Sequence, residues 1–191
     1  MKRIFQAWLL LCLSGSQAFA GEATSAAKIA ESRKAADQGE AAAQILLGYG
    51  YHFGDGLPKD DVESVKWFRK AAEQGDAGSQ ARLANHYETG CGVPKDDVEA
   101  GKWYKRAAEQ GDSKAQFCLG WMYYLGKTVS KDVVAGYMWI NLAGTDDTTI
   151  AKTREMIEVS LTPEQLAEAR KLSAEWKPRK EGDRKTSPLR K

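Results

Sequence analysis

The side chains best suited to acid–base work, metal binding or nucleophilic attack in this 191-residue chain are two histidines, His52 and His86, and two cysteines beyond residue 20, Cys91 and Cys118. Their spacing does not suit a metal, because no acid, histidine and cysteine recur at ligand intervals. The histidines lie 34 residues apart, two short of the period described below. They therefore hold unequal positions, nothing obliges them to face each other, and each reads as a solvated or half-buried neutral ring. Nucleophilic chemistry has no signature either. There is no G-x-S-x-G, no phosphate-cradling glycine loop and no S-x-x-K with its companions, and neither Ser32-Arg33-Lys34 nor Ser64-Val65-Lys66 matches. The acidic pairs Asp60-Asp61 and Asp96-Asp97 suggest a cation site, but both stand where a helix begins and capping explains them. The expectation is a protein that is not an enzyme, with no cofactor and no metal.

The elements around these residues begin with a processing signal. Lys2 and Arg3, a short apolar core from Trp8 to Leu13, and Ala18-Phe19-Ala20 read as a signal peptide over residues 1–20, cleaved after Ala20. The apolar run is well short of the ~20 residues a bilayer span needs. Cys12 is a poor lipoprotein site, because Leu11 is bulky where a small residue is wanted. The expected location is periplasmic or secreted. Residues 177–191 carry a local charge of +5 and residues 21–176 carry −5. An acidic body argues against nucleic acid as a partner. The basic stretch 178–191 reads as a disordered, solvated tail, with weak contact to an anionic envelope surface as its alternative.

A 36-residue period organises the rest. Trp67, Trp103 and Trp139 keep that step, as do Leu47, Leu83 and Leu119, and Tyr51, Tyr87 and Tyr123. Gly39, Gly75 and Gly111 follow it, and so do Gly54, Gly90 and Gly126. Gly56-Leu57-Pro58-Lys59-Asp60-Asp61 recurs as Gly92-Val93-Pro94-Lys95-Asp96-Asp97, then decays to Lys127-Thr128-Val129-Ser130-Lys131-Asp132. Each copy reads as two helices. Helix A runs from about Glu40 to Phe53, and Gly54 to Pro58 break it. Helix B opens on a cap at Asp60, with Glu63 completing a capping box, and turns Val62, Trp67 and Ala71 inward. Gly48, Ala84 and Gly120 are small enough to let helices approach closely. The tryptophans, leucines and tyrosines of the period are core. The layout is a capping helix over 21–38, repeats over 39–74, 75–110 and 111–146, and capping helices over 147–177 that end near Trp176. The last helix starts at Thr162-Pro163. In this register Lys127, the counterpart of Cys91, lies nine residues past Cys118. That is about 13 Å along a helix, whereas a disulfide needs Cα atoms within about 7 Å. A Cys91–Cys118 bridge is not expected.

The pattern A-x-x-x-L-G-x-x-Y-x-x-G followed by G-V-P-K-D-x-x-x-A-x-x-W-x-x-x-A-A-x-x-G resembles the Sel-one-like repeat (SLR), a relative of the tetratricopeptide repeat. The likeness runs over about residues 35–145 and is densest from Gly92 through Trp103 to Gly111. Ser64 and Gly136 depart from its alanine, and Ser130 from its proline. The resemblance implies an all-α solenoid that binds a protein or peptide on its concave face. Cysteine-rich members of that family pair cysteines within each repeat, and that pattern is missing here. Binding residues should vary between copies while facing the groove. Three rows of helix A do so: Leu46, Arg82 and Cys118; Tyr49, Asn85 and Trp121; Phe53, Thr89 and Leu125. Tyrosine, tryptophan and arginine dominate binding hot spots, although Tyr49 and Trp121 could equally pack between repeats. The candidate site is Leu46, Tyr49, Phe53, Arg82, Asn85, Thr89, Trp121 and Leu125. Other roles weighed are a cell-wall enzyme or accessory that binds peptidoglycan or β-lactam, and a structural part of an envelope complex.

Overall fold

The computed structural model describes residues 28–144 and 147–179. All regular structure among them is helical. Helix α1 covers residues 28–37. It is followed by α2 (Ala41–Phe53), α3 (Asp61–Glu73), α4 (Ala77–Thr89), α5 (Asp97–Glu109), α6 (Ser113–Leu125), α7 (Val133–Leu142), α8 (Thr148–Val159) and α9 (Pro163–Glu175). Helices adjacent in sequence pack together along the array from α2 to α7, and α7 also takes α8 and α9 against it. A solenoid follows from this, since each pair buries its apolar stripe only by stacking on the next. The signal segment and the tail from residue 180 lie outside the described residues.

The turns between helices are set by local chemistry. Gly54, Gly90 and Gly126 end α2, α4 and α6 with φ of 75°, 76° and 70°, a left-handed state open to glycine. Asp60 and Asp96 cap α3 and α5 by accepting from the amides two and three residues on. The capping box read from the sequence is only half present. Glu63 turns to Lys66 and Glu99 to Lys102, so neither carboxylate reaches back to its cap. A complete box forms at α9, between Thr162 and Gln165.

Trp67, Trp103 and Trp139 are buried, as are Leu47, Leu83 and Leu119. Full burial of side chains of this size contributes roughly 1.5–3 kcal/mol each. The indole N–H groups find no acceptor among the described residues. The rings are held by area and by cations instead, Lys70 over Trp67 and Arg106 over Trp103. Trp139 has Trp176 edge-on at 6.0 Å. Tyr51 is buried, whereas Tyr87 and Tyr123 are half-buried; Tyr51 accepts from Arg33 and Tyr87 from Arg69. Val62 does not point inward. It is 52 % exposed, like Val98. Five residues from Trp67 is about 140° round a helix, which carries Val62 off the buried stripe. Val65 and Phe68 fill the position instead.

A polar ladder runs through the stack. The amide nitrogens of Gln44, Gln80 and Gln116 donate to the carbonyls of Ala36, Ala72 and Ala108. Gln74 and Gln110 in turn donate to the side-chain oxygens of Gln44 and Gln80. These two glutamine rows keep the 36-residue step, but as polar side chains they carry no core signal in the sequence.

Candidate functional site

The even helices α2, α4 and α6 carry the three variable rows. Leu46, Phe53 and Leu125 are 58 %, 66 % and 60 % exposed, unusually open for large apolar side chains. Asn85 and Thr89 are also exposed, and Thr89 spends its hydroxyl on the Asn85 carbonyl at 2.8 Å. Tyr49 and Arg82 are half-buried and joined: the guanidinium lies 5.2 Å from the ring centroid and its Nε donates to the phenol at 3.2 Å. Tyr49 also stacks parallel on Phe53 at 6.0 Å and meets Phe68 edge-on at 5.1 Å. Trp121 sits at the far end of its row against Phe117 and Tyr124. The structure therefore gathers Leu46, Tyr49, Phe53 and Arg82 into one patch, with Asn85 and Thr89 beside it. Trp121 and Leu125 form a second aromatic and aliphatic group on α6. Cys118, though in the first row, turns inward: burial pushes its thiol up to about 11, with the Tyr104 hydroxyl beside it. Burial raises Tyr104 too, and its phenol donates to Glu88 at 2.8 Å.

A second cluster, which sequence reasoning missed, sits where the last turns of α2 and α4 meet. The His52 and His86 rings lie 5.3 Å apart, edge to face. They do face each other, because neighbouring helices bring unequal positions together at their ends. His86 is buried, not half-solvated. Its Nδ1–H donates to the Cys91 carbonyl at 2.8 Å. Burial lowers the His86 pKa, against the opposing pull of that carbonyl. His52 Nδ1 lies 3.0 Å from Asp61 Oδ1. Burial pushes the Asp61 carboxyl up, but hydrogen bonds to Cys91 and His52 outweigh it, and the net shift is downward. Burial and the same carboxylate raise the Cys91 thiol. A thiol held protonated beside an acid is the reverse of an activated nucleophile. Cys91 and Cys118 are free thiols in separate surroundings. Among the described residues no group of three or more histidine, cysteine, aspartate and glutamate side chains could hold a metal ion, and no helix is long and apolar enough to cross a membrane.

The Sel1 repeat model matches residues 41–76, 77–112 and 113–146. Each of its repeats opens two residues later than those read from the sequence, at the first residues of α2, α4 and α6. Among solved structures, c5321, a protective antigen of uropathogenic Escherichia coli strains with an SLR fold, is similar at 39 % identity and a TM-score of 0.69. The likeness covers 78 % of this chain and 32 % of that one. A Sel1 repeat protein from Oxalobacter formigenes is similar at 38 % identity and a TM-score of 0.56, over 60 % of this chain and 47 % of that one. The chain thus spans about a third and about half of these two proteins. No curated protein matches it significantly. With three consecutive repeats over more than half its residues, and with the helical stack those repeats build, the chain belongs to the Sel1-repeat family, whose fold is a scaffold for protein interactions.

Proposed function

We infer that this protein is an exported scaffold that holds a protein or peptide against the face formed by α2, α4 and α6. The observation that carries the reading is the contrast along those helices. The repeated Leu47, Leu83 and Leu119 are buried, whereas positions that change between copies leave Leu46, Phe53 and Leu125 open to solvent. A contiguous apolar patch rimmed by polar groups is what a docking partner covers. Tyr49, with Arg82 laid across it, supplies a rigid aromatic and cationic anchor of the kind that dominates binding energy. The cell-wall enzyme alternative gains nothing from the Cys91–Asp61 pair, whose thiol is held protonated.

The test is a pull-down from envelope extract with the wild-type protein beside an Arg82→Glu, Trp121→Ala variant of equal helicity. Retention of one protein by the wild type and its loss from the variant supports the reading. Equal retention, or none, removes this face from consideration. Export is tested separately by sequencing the N-terminus of the protein from the periplasmic fraction, with Gly21 expected as the first residue.

A further inference from the structure

The helices of the proposed binding face carry little charge. Helix α2 has no lysine, arginine, aspartate or glutamate, α4 has Arg82 and Glu88, and α6 has Lys114. Glu88 is committed to the Tyr104 hydroxyl, which donates to it at 2.8 Å. Acids gather instead on the alternate helices, with Asp61, Glu63 and Glu73 on α3 and Asp97, Glu99 and Glu109 on α5. A body of net charge −5 thus presents a face whose uncommitted charges, Arg82 and Lys114, are both positive. That sign favours an acidic partner on approach and in register.

Arg82 sets the point of recognition. Arg33 and Arg69 each donate through Nη2 to the tyrosine beside them. Arg82 gives only Nε to the Tyr49 phenol, with its guanidinium over the ring. Among the described residues it makes no ion pair, and neither of its Nη groups has a partner. An open fork of N–H donors remains, which a carboxylate matches with two parallel hydrogen bonds. The phenol and the ring already hold the guanidinium in place, so little freedom is left to lose on binding.

The apolar side chains beside the fork decide what the partner must bring. Leu46 and Phe53 stand one turn to either side of Tyr49 on α2, and both are exposed. A segment that covers them also takes water from half-buried Arg82. A guanidinium dried without a counter-charge is strongly unfavourable. A neutral segment leaves it in that state, and a basic one adds repulsion. A segment with a carboxylate next to an apolar side chain satisfies both parts of the patch together.

We propose that this face takes an acidic peptide segment, with one side-chain carboxylate seated on the Nη groups of Arg82 and a neighbouring large apolar side chain covering Leu46 and Phe53. This rests on the scaffold reading above and names the chemistry of the bound segment.

The test selects a phage-displayed library of random peptides on the wild-type protein, on Arg82→Gln and on Arg82→Lys. Wild-type selections should enrich aspartate or glutamate beside a large apolar residue, and Arg82→Gln selections should not. An enriched peptide, synthesised with both ends capped so that no terminal carboxylate remains, is then compared with its asparagine or glutamine counterpart. The acid should be worth about tenfold in affinity on the wild type and nothing on Arg82→Gln. Arg82→Lys keeps the charge but loses the fork, so the preference should fall between the two, and this variant decides the matter if Arg82→Gln loses helicity. Enrichment without an acid, an acid preference that survives in Arg82→Gln, or no enrichment overturns the proposal. Dimerisation of the wild type that Arg82→Gln abolishes overturns it in favour of a second copy. Peptides that shift the Leu46 and Phe53 NMR signals with no preference for the acid remove this inference and leave the scaffold reading standing.

Discussion

Gly120 shows how little room separates the helices. A Cβ there would stand 2.5 Å from Ile140 Cγ1 and 2.8 Å from the Gly136 carbonyl, and neither can swing away freely. Gly120→Ala should cost about 1–3 kcal/mol by overpacking, read as a lower urea midpoint. Gly78→Ala, whose Cβ would meet only Asp76 Oδ1 at 3.5 Å, should be neutral or stabilising by up to about 1 kcal/mol. His86 makes a different kind of residue-scale prediction. Burial holds its pKa below the ordinary 6.5. Below pH 6.5 the unfolded chain therefore binds a proton that the folded chain resists, and stability present above that pH is lost as pH falls toward the lowered value. The melting temperature should drop between pH 7 and pH 5. His86→Met should flatten that drop, because Met122 already fills the equivalent place in the next repeat.

At the scale of elements, capping separates side chains that look alike in sequence. Asp60→Ala removes an acceptor from two amides and should cost about 1 kcal/mol. Glu63→Ala should change thermal stability by less than about 0.5 kcal/mol, since Glu63 serves only an exposed pair with Lys66. The helices were legible because apolar and glycine identities recur at a fixed step. Trp67, Trp103 and Trp139 announce the second helices, and Gly54, Gly90 and Gly126 mark where the first ones stop. What escaped had other causes. Val62 faces outward despite its apolar character, because its angle from Trp67 and not its hydrophobicity sets its direction. The His52–His86 pair breaks the period, so no register comparison could bring it out. Of the candidate rows, exposure of Leu46, Phe53 and Leu125 followed from their variability, whereas Cys118 turned inward toward Tyr104, a contact made on a neighbouring helix.

For the whole molecule, the far end is closed by aromatic packing and a charged tie. Trp176 meets Trp139 edge-on, and Arg179 then donates to the Glu109 carboxylate at 2.9 Å and to its backbone carbonyl at 2.8 Å. The basic tail thus starts from a fixed point on α5. Trp176→Ala should lower stability by roughly 1–3 kcal/mol. Hydrogen exchange should show the loss concentrated in α6, α7 and α9 and fading toward α2, because repeat arrays sum nearest-neighbour terms.

The glutamine ladder lies along one edge, where second helices end and first helices begin. Along the opposite edge the ties differ from copy to copy, a thiol and carboxylate at Cys91 and Asp61, then an ammonium and carboxylate at Lys127 and Asp97. A stack sewn with identical stitches on one side and fastened unevenly on the other opens like a bound book. Hydrogen exchange should therefore run faster at the ends of α2, α4 and α6, near Phe53 and Leu57, than beside the glutamine spine.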